Sequence, residues 1–277
     1  MRVLGIESSS LVASVALATE DSMIAEYTVN FKKTHSQTLL PMLDEIVKLL
    51  ELDLETVDAI AVAGGPGSFT GLRIGAATAK GLGLALKKPL IHVPTVDAMA
   101  YNMWGAAGLV CPIMDARRNQ VYTGLYHVEK ELKVVMEQQP MHMRELTDRL
   151  NKRGEQVIFL GDGIPVYKAI IQNEMEVPYV FAPAHMNRQR GASVALLGVT
   201  ALLSHSEAQN YQSEGEYCFD ESSRCRHGEA CTGAGGYCGA RLVTPEEFVP
   251  DYLRKPQAER QREDEILAGV AGKLWGD

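Results

Sequence analysis

The sequence has few basic residues for its length. Its 27 lysines and arginines are outnumbered by 35 aspartates and glutamates, which gives a formal net charge of −8. A protein that grips a nucleic-acid backbone by itself uses a broad basic surface. The charge argues against that class of protein, but it is compatible with a subunit whose partner holds the nucleic acid.

Long apolar runs are missing as well. The longest apolar region, from Ala98 to Met114, is interrupted by Asn102, two glycines and Pro112, so it is too broken to span a bilayer. At the start of the chain Glu7 follows after only a few apolar residues, which argues against a secretory signal peptide. We therefore expect a cytoplasmic protein that does not enter a membrane.

Neither of the common nucleotide-binding motifs is present. No glycine is followed by four residues and then Gly-Lys-Ser/Thr, which a P-loop requires. The segment from Gly65 to Gly71 is one residue too long for a dinucleotide fingerprint, and Lys87 and Lys88 stand where that motif needs a ribose-binding acid. The glycines of this region therefore need another explanation.

These glycines lie between a short apolar run at 59–63, typical of a buried strand, and a predicted helix from Thr70 to Leu86. Small residues recur at every fourth position of the helix and so share one side of it: Gly71, Gly75, Ala79 and Gly83. Each interior glycine weakens a helix by about 1 kcal/mol relative to alanine. We therefore expect a second helix to pack closely on this side, either from the same chain or from a partner.

A second amphipathic helix is predicted from Thr38 to Leu50, with an apolar stripe that includes Leu39, Leu43 and Ile46. It is the natural candidate to lie against the glycines. Arg73 is different, because a cation in the first turn of a helix opposes the helix dipole. We expect Arg73 to meet an anion or a carboxylate of a partner.

The sequence pattern predicts two α/β units, each of which begins with a β-hairpin around a polar turn. The first turn contains Glu7, Ser8 and Ser9, and the second runs from Asp115 to residue 119. Such an opening is typical of the actin and Hsp70-like (ASKHA) ATPase architecture, where the first turn faces nucleotide phosphates. Those three residues could therefore face a nucleotide, or they could form a plain hairpin loop.

Four of the five cysteines are crowded into a polar, glycine-rich stretch, with six, five and six residues between them. They are Cys218, Cys225, Cys231 and Cys238. The spacing differs from that of a zinc ribbon, and the alternatives are a bound zinc or iron ion, disulfides, or unpaired thiols. The predicted organisation is a first lobe at 1–105, a second lobe at 106–205, a cysteine-rich insertion at 206–241 and a C-terminal segment at 242–277.

Several segments together resemble the TsaB family, which belongs to the bacterial system that makes threonylcarbamoyladenosine in tRNA. The most specific is GGPGSFTGLRIGAATAKGLGLA, from Gly64 to Ala85. The others follow in the family's order: His35–Ile46, Met114–Tyr126, Leu160–Gly163 and Val249–Arg254. The resemblance covers 1–205 and 242–255, and the chain departs from it at Glu7, where most members carry aspartate.

The resemblance implies an ASKHA fold of two ribonuclease-H-like lobes and a subunit that is not catalytic by itself. TsaB proteins pair with the catalytic subunit TsaD through a helical bundle, and an ATPase, TsaE, completes the assembly. By position, the bundle corresponds to the two helices described above, with Leu39, Leu43, Ile46, Gly71, Arg73, Gly75, Ala79 and Gly83 as the predicted interface. The chain would form a homodimer when alone, reach tRNA only through the complex and need no cofactor, although a nucleotide at the interface is an open alternative.

The residues support a non-catalytic subunit independently of the resemblance. Catalytic relatives hold a metal through two histidines spaced H-x-x-x-H, and none of the seven histidines here forms such a pair. Two enzymes of related architecture are the alternatives. A metallopeptidase of the glycoprotease grouping would need the missing ligands, and a small-molecule kinase would need Glu7 or Asp115 as its base.

Metal analysis distinguishes the alternatives for the four cysteines. If they bind a metal, the purified protein will contain stoichiometric zinc or iron, and the double substitution Cys225→Ser and Cys231→Ser will remove it, because thiolates are the ligands. Elemental analysis by mass spectrometry measures both. A wild-type protein without stoichiometric metal would exclude the metal site.

Overall fold

The computed structural model describes residues 1–212 and 239–253. The four clustered cysteines and the end of the chain lie outside the described residues, so the predictions made for them stay predictions. The described part contains two β-sheets with helices on their faces.

The first sheet has the strand order β11-β5-β4-β1-β2-β3. Strands β1, β2 and β3 are antiparallel neighbours, β4 and β5 continue the sheet parallel to β1, and β11 adds an antiparallel edge. Their bounds are Arg2–Glu7 (β1), Val12–Thr19 (β2), Met23–Asn30 (β3), Ala59–Gly65 (β4), Leu90–Pro94 (β5) and Arg241–Val243 (β11).

The second sheet repeats this plan with the order β10-β9-β6-β7-β8. Its bounds are Ala106–Asp115 (β6), Gln120–Val128 (β7), Lys133–His142 (β8), Val157–Leu160 (β9) and Tyr179–Phe181 (β10). Again an antiparallel meander is followed by two parallel strands. The two ribonuclease-H-like lobes of the predicted ASKHA fold are thereby confirmed.

Helices cover three faces of these sheets. They are α1 (His35–Leu49), α2 (Phe69–Leu86), α3 (Thr95–Tyr101), α4 (Met143–Arg153), α5 (Ile164–Glu174) and α6 (Gly191–Gln212), and a short 3₁₀ turn lies at Leu54–Thr56. An outer core joins α1 and α2 to the first sheet, and a second outer core joins α4 and α5 to the second sheet. The third core, which includes α3 and α6, lies between the lobes and contains residues of both sheets.

Two elements that follow the second sheet in the sequence, α6 and β11, pack on the first sheet. Helix α6 starts within the range predicted for the second lobe, yet it packs on β1, β2 and β4, where Gly198 leaves room for the side chain of Ala61. Strand β11 then pairs with β5. The predicted boundaries stay predictions, but these contacts show that the first sheet uses chain from beyond residue 205.

At Gly71 and Gly75 the glycine side of α2 is covered by the chain's own first turn, a neighbour that its spacing did not lead us to expect. A Cβ atom at Gly71 would overlap the carbonyl oxygen of Ser8, and one at Gly75 would overlap the Ser8 hydroxyl. Helix α1 meets this side at its start, where His35 lies against Gly71, and Ala79 belongs to the same outer core as the apolar side chains of α1. Further along, Gly83 packs on Leu90 and Pro245.

Two glycines of α2 provide a matched test of this packing. Gly75→Ala should lower the free energy of unfolding by about 1 to 3 kcal/mol, because the new methyl group overpacks the contact with Ser8. Gly81→Ala should raise it by about 0.5 to 1 kcal/mol, because no described atom outside the adjacent backbone of the helix lies within 4 Å of the new methyl group and alanine favours the helix. Urea unfolding measures both, and equal effects would contradict the assignment of the two sides.

Candidate functional site

The turn after β1 joins the first strand to the start of α2. Glu7, Ser8 and Ser9 are all buried. The Ser8 hydroxyl donates a hydrogen bond to the carbonyl oxygen of Gly71 (2.9 Å), and the backbone N–H of Ser68 donates to the carbonyl oxygen of Ser9 (2.6 Å). The turn therefore fixes α2 in place. That it also faces a nucleotide stays a prediction.

Glu7 carries a buried carboxyl group with one unpartnered oxygen. Its side chain is 1% exposed, and its Oε1 accepts a hydrogen bond from the backbone N–H of Ser9 (2.6 Å). Its Oε2 has no hydrogen-bond partner among the described residues. Burial raises the pKa of Glu7 to about 7, hydrogen bonds from Ser9 oppose the shift, and the charge of Asp162 adds to it. At neutral pH this carboxyl is therefore partly protonated.

The second lobe contributes two carboxyl groups that differ in their surroundings. Asp115 ends β6, and its Oδ1 accepts hydrogen bonds from the Tyr167 hydroxyl (2.9 Å) and the backbone N–H of Arg117 (2.9 Å). Asp162 follows β9, and its buried Oδ1 has no partner among the described residues. Burial raises the pKa of Asp162, and the charge of Arg188 opposes that rise.

The polar backbone groups of the glycine loop are largely used within the chain. The N–H of Gly65 donates to the Thr95 hydroxyl (3.1 Å), and its carbonyl oxygen accepts from Gln138 Nε2 (3.0 Å) of the second lobe. The carbonyl oxygen of Gly64 accepts from the N–H of Asp251 (2.6 Å). These bonds agree with the absence of a phosphate-binding motif from the sequence, because they fix the loop to its own chain.

Seven of the eight predicted interface residues lie inside the first lobe. Leu39, Leu43 and Ile46 belong to the outer core of that lobe. The small side of α2 is equally buried: Gly71, Gly75, Ala79 and Gly83. Arg73 alone is exposed, and its guanidinium lies 5.4 Å from the ring centroid of Phe69. A single chain does not test the pairing itself, so the interface stays a prediction, but these seven residues are buried within this chain.

Helix α2 has a second side made of small residues, which was not predicted from the sequence. Ala77, Gly81 and Ala85 also recur at every fourth position, and all three are exposed. Leu84 lies beside them and is 55% exposed, and Leu40 of α1 is 53% exposed. The signal was in the sequence, because the same spacing occurs twice in the helix, but spacing does not say which side faces the sheet.

The described residues contain no group of three or more metal-ligating side chains, and none of their helices is long and apolar enough to cross a membrane. His35 is buried, and its Nε2 donates to the carbonyl oxygen of Ser10 (2.7 Å), which is a structural role. Cys111 is also buried, and burial raises the pKa of its thiol to about 12.

Comparisons with known proteins identify the family. The family model described as "TsaD: tRNA N6-adenosine threonylcarbamoyltransferase" matches residues 23–225. The tRNA threonylcarbamoyladenosine biosynthesis protein TsaB of Bacillus subtilis is 34% identical over 72% of this chain and 87% of its own length. The chain belongs to the TsaB family of tRNA threonylcarbamoyladenosine biosynthesis proteins. TsaB of Escherichia coli is likewise 34% identical, over 52% of this chain and 66% of its own length.

A solved structure agrees with the fold of this chain. YeaZ from Pseudomonas aeruginosa superposes with a TM-score of 0.64 at 23% identity, over 91% of this chain and 99% of the other. At that identity the likeness shows the fold alone. The residue assignments therefore depend on the contacts described above.

The buried carboxyl of Glu7 predicts a pH dependence of stability. Its pKa is raised from 4.5 to about 7 in the folded protein, so the folded state binds this proton more tightly than the unfolded state does. The stabilisation is complete below pH 4.5 and is lost as the pH rises through 7. Between pH 5 and 8, wild type should lose about 2.5 kcal/mol of unfolding free energy relative to Glu7→Gln.

Urea unfolding at several pH values measures this difference. The exposed Glu129→Gln substitution is the control and should leave the wild-type pH dependence unchanged. The same pH dependence in wild type and Glu7→Gln would show that Glu7 has an ordinary pKa.

Proposed function

We propose that this chain is a non-catalytic subunit that pairs with the catalytic TsaD subunit through the outer side of α2 and supports threonylcarbamoyl transfer to tRNA. Its membership of the TsaB family supports the pathway, and the lack of an H-x-x-x-H pair supports the non-catalytic role. The formal net charge of −8 suits a subunit that meets tRNA only through its partner.

The observation that carries the proposal is the exposed small side of α2. Gly81 weakens the helix by about 1 kcal/mol relative to alanine, yet no described atom outside the adjacent backbone of the helix lies within 4 Å of the position its Cβ would occupy. The packing that explains Gly71 and Gly75 therefore does not explain Gly81. Small residues let two helix axes approach closely, so a helix of a partner would account for Ala77, Gly81 and Ala85.

The neighbouring side chains suit such a contact. Leu84 lies on the same side of α2 as the small residues and is 55% exposed. The fully buried centre of an interface is more apolar than the rest of the protein surface. Arg73 lies near the start of the helix and would meet a carboxylate of the partner. The same surface would form the homodimer of the isolated chain, and TsaE would join the heterodimer in the cytoplasm.

Leu84→Arg tests the surface against a matched control. Val166→Arg introduces the same charge at a valine of α5 that is 57% exposed, close to the 55% of Leu84. Binding of a purified TsaD subunit, measured by titration calorimetry, should weaken at least tenfold for Leu84→Arg, because a cation would enter an apolar contact. It should be unchanged for Val166→Arg.

Unfolding curves of both variants should match wild type, because both positions are exposed. Equal and unweakened binding by the two variants would contradict the proposed surface. Tight ATP binding and turnover by the isolated chain would contradict the non-catalytic role.

A further inference from the structure

Helix α2 and the residue that caps its end carry positive charges only. The segment 69–87 contains Arg73, Lys80 and Lys87 but no aspartate or glutamate, although the whole chain has a formal net charge of −8. The three cations are seven residues apart, which is close to two turns of an α-helix. They therefore lie in one row along the helix, which we call the cation row.

The cation row borders the exposed small side of α2. Ala77 lies between Arg73 and Lys80, and Leu84 lies between Lys80 and Lys87, at spacings of three and four residues that make them neighbours on the helix surface. Ala77, Leu84, Arg73 and Lys87 are exposed, and Lys80 is half-buried. The surface proposed for the partner thus combines an apolar strip with a row of positive charge.

No carboxylate among the described residues neutralises the cation row, because none of its members forms an ion pair there. The guanidinium of Arg73 lies over the ring of Phe69, 5.4 Å from the ring centroid. Lys80 Nζ donates to the backbone carbonyl oxygen of Glu246 (3.3 Å). An aromatic ring and a carbonyl group hold these two cations in place without cancelling their charge.

A second copy of this chain is a poor partner for such a row. If two α2 helices pack antiparallel about a twofold axis near Lys80, Arg73 of each copy lies opposite Lys87 of the other. If they pack parallel, each cation lies opposite the same cation of the other copy. Like charges face each other in both cases, and a twofold interface repeats each contact. Such like charges weaken association.

We propose that the cation row selects the partner: this side of α2 pairs with a helix of the TsaD subunit that carries carboxylates at matching positions, and it pairs only weakly with a second copy of this chain. The inference rests on the proposed function, because it uses the same surface. The small residues and Leu84 allow close packing in both pairs, so the sign of the charge distinguishes them. The homodimer is therefore the weaker pair, and TsaD displaces it.

Reversal of all three charges tests the selection. In the triple variant Arg73→Glu, Lys80→Glu and Lys87→Glu, binding of purified TsaD should weaken about tenfold, because carboxylates would face carboxylates. Titration calorimetry measures this change. A mixture of the variant with wild type should form a heterodimer about tenfold tighter than the wild-type homodimer, because each cation then meets a glutamate in either helix direction. Sedimentation velocity with one labelled protein measures the heterodimer.

A second triple variant, Lys130→Glu, Lys133→Glu and Lys152→Glu, is the matched control. These three lysines are exposed on the second lobe, and their reversal changes the net charge by the same amount. The control variant should bind TsaD as wild type does, and it should not pair with wild type more tightly than wild type pairs with itself. Equal behaviour of the two triple variants would show an effect of net charge alone and would overturn the proposal.

Salt dependence of the wild-type protein keeps the proposal testable if the reversed variant fails to fold. Between about 0.05 and about 0.3 M potassium chloride, binding of TsaD should weaken about threefold, because salt screens the attraction between opposite charges. Self-association should strengthen over the same range, because salt also screens the repulsion between like charges. A salt effect of the same direction on both pairs would overturn the proposal.

The Leu84→Arg variant separates a failure of this inference from a failure of the proposed function. If Leu84→Arg weakens the binding of TsaD and reversal of the cation row does not, the surface is correct and the selection by charge is wrong. If neither change weakens binding, TsaD does not use this side of α2, and both proposals are wrong.

Discussion

The close contact between Ser8 and the glycine side of α2 is the constraint on which the rest of the structure depends. A side chain at Gly71 or Gly75 would occupy the space of Ser8, so this side of the helix can only face the turn after β1. The rotation of α2 about its own axis follows from that contact. Ala77, Gly81 and Ala85 are consequently exposed, and the partner surface that we propose is a result of how the first lobe packs.

The same turn also contains a buried titratable group. Ser8 and Ser9 hold the start of the helix by hydrogen bonds, and burial raises the pKa of Glu7, the preceding residue, to about 7. The titratable carboxyl therefore belongs to the segment that positions the proposed partner surface. Three consecutive buried residues combine a helix contact, a backbone anchor and a titratable group.

Local patterns in the sequence predicted much of the fold, and long-range contacts escaped them. The apolar run before Gly64 and the spacing of α2 predicted a strand, a turn and a helix, and the two hairpins predicted the repeated lobes. Spacing also showed that Gly71 and Gly75 share a side, but it could not show that Ser8, more than sixty residues earlier, covers it. The return of α6 and β11 to the first sheet carries no local signal either.

The central claim is that α2 uses one small side within the chain and offers the other to the TsaD subunit. Hydroxyl-radical footprinting measures the accessibility of single side chains and so distinguishes the two sides. When the TsaD subunit is added, oxidation of Leu84 should fall while the exposed Val166 stays unchanged and the buried Leu72 stays unreactive. Undiminished oxidation of Leu84 in a fully formed complex would contradict the account.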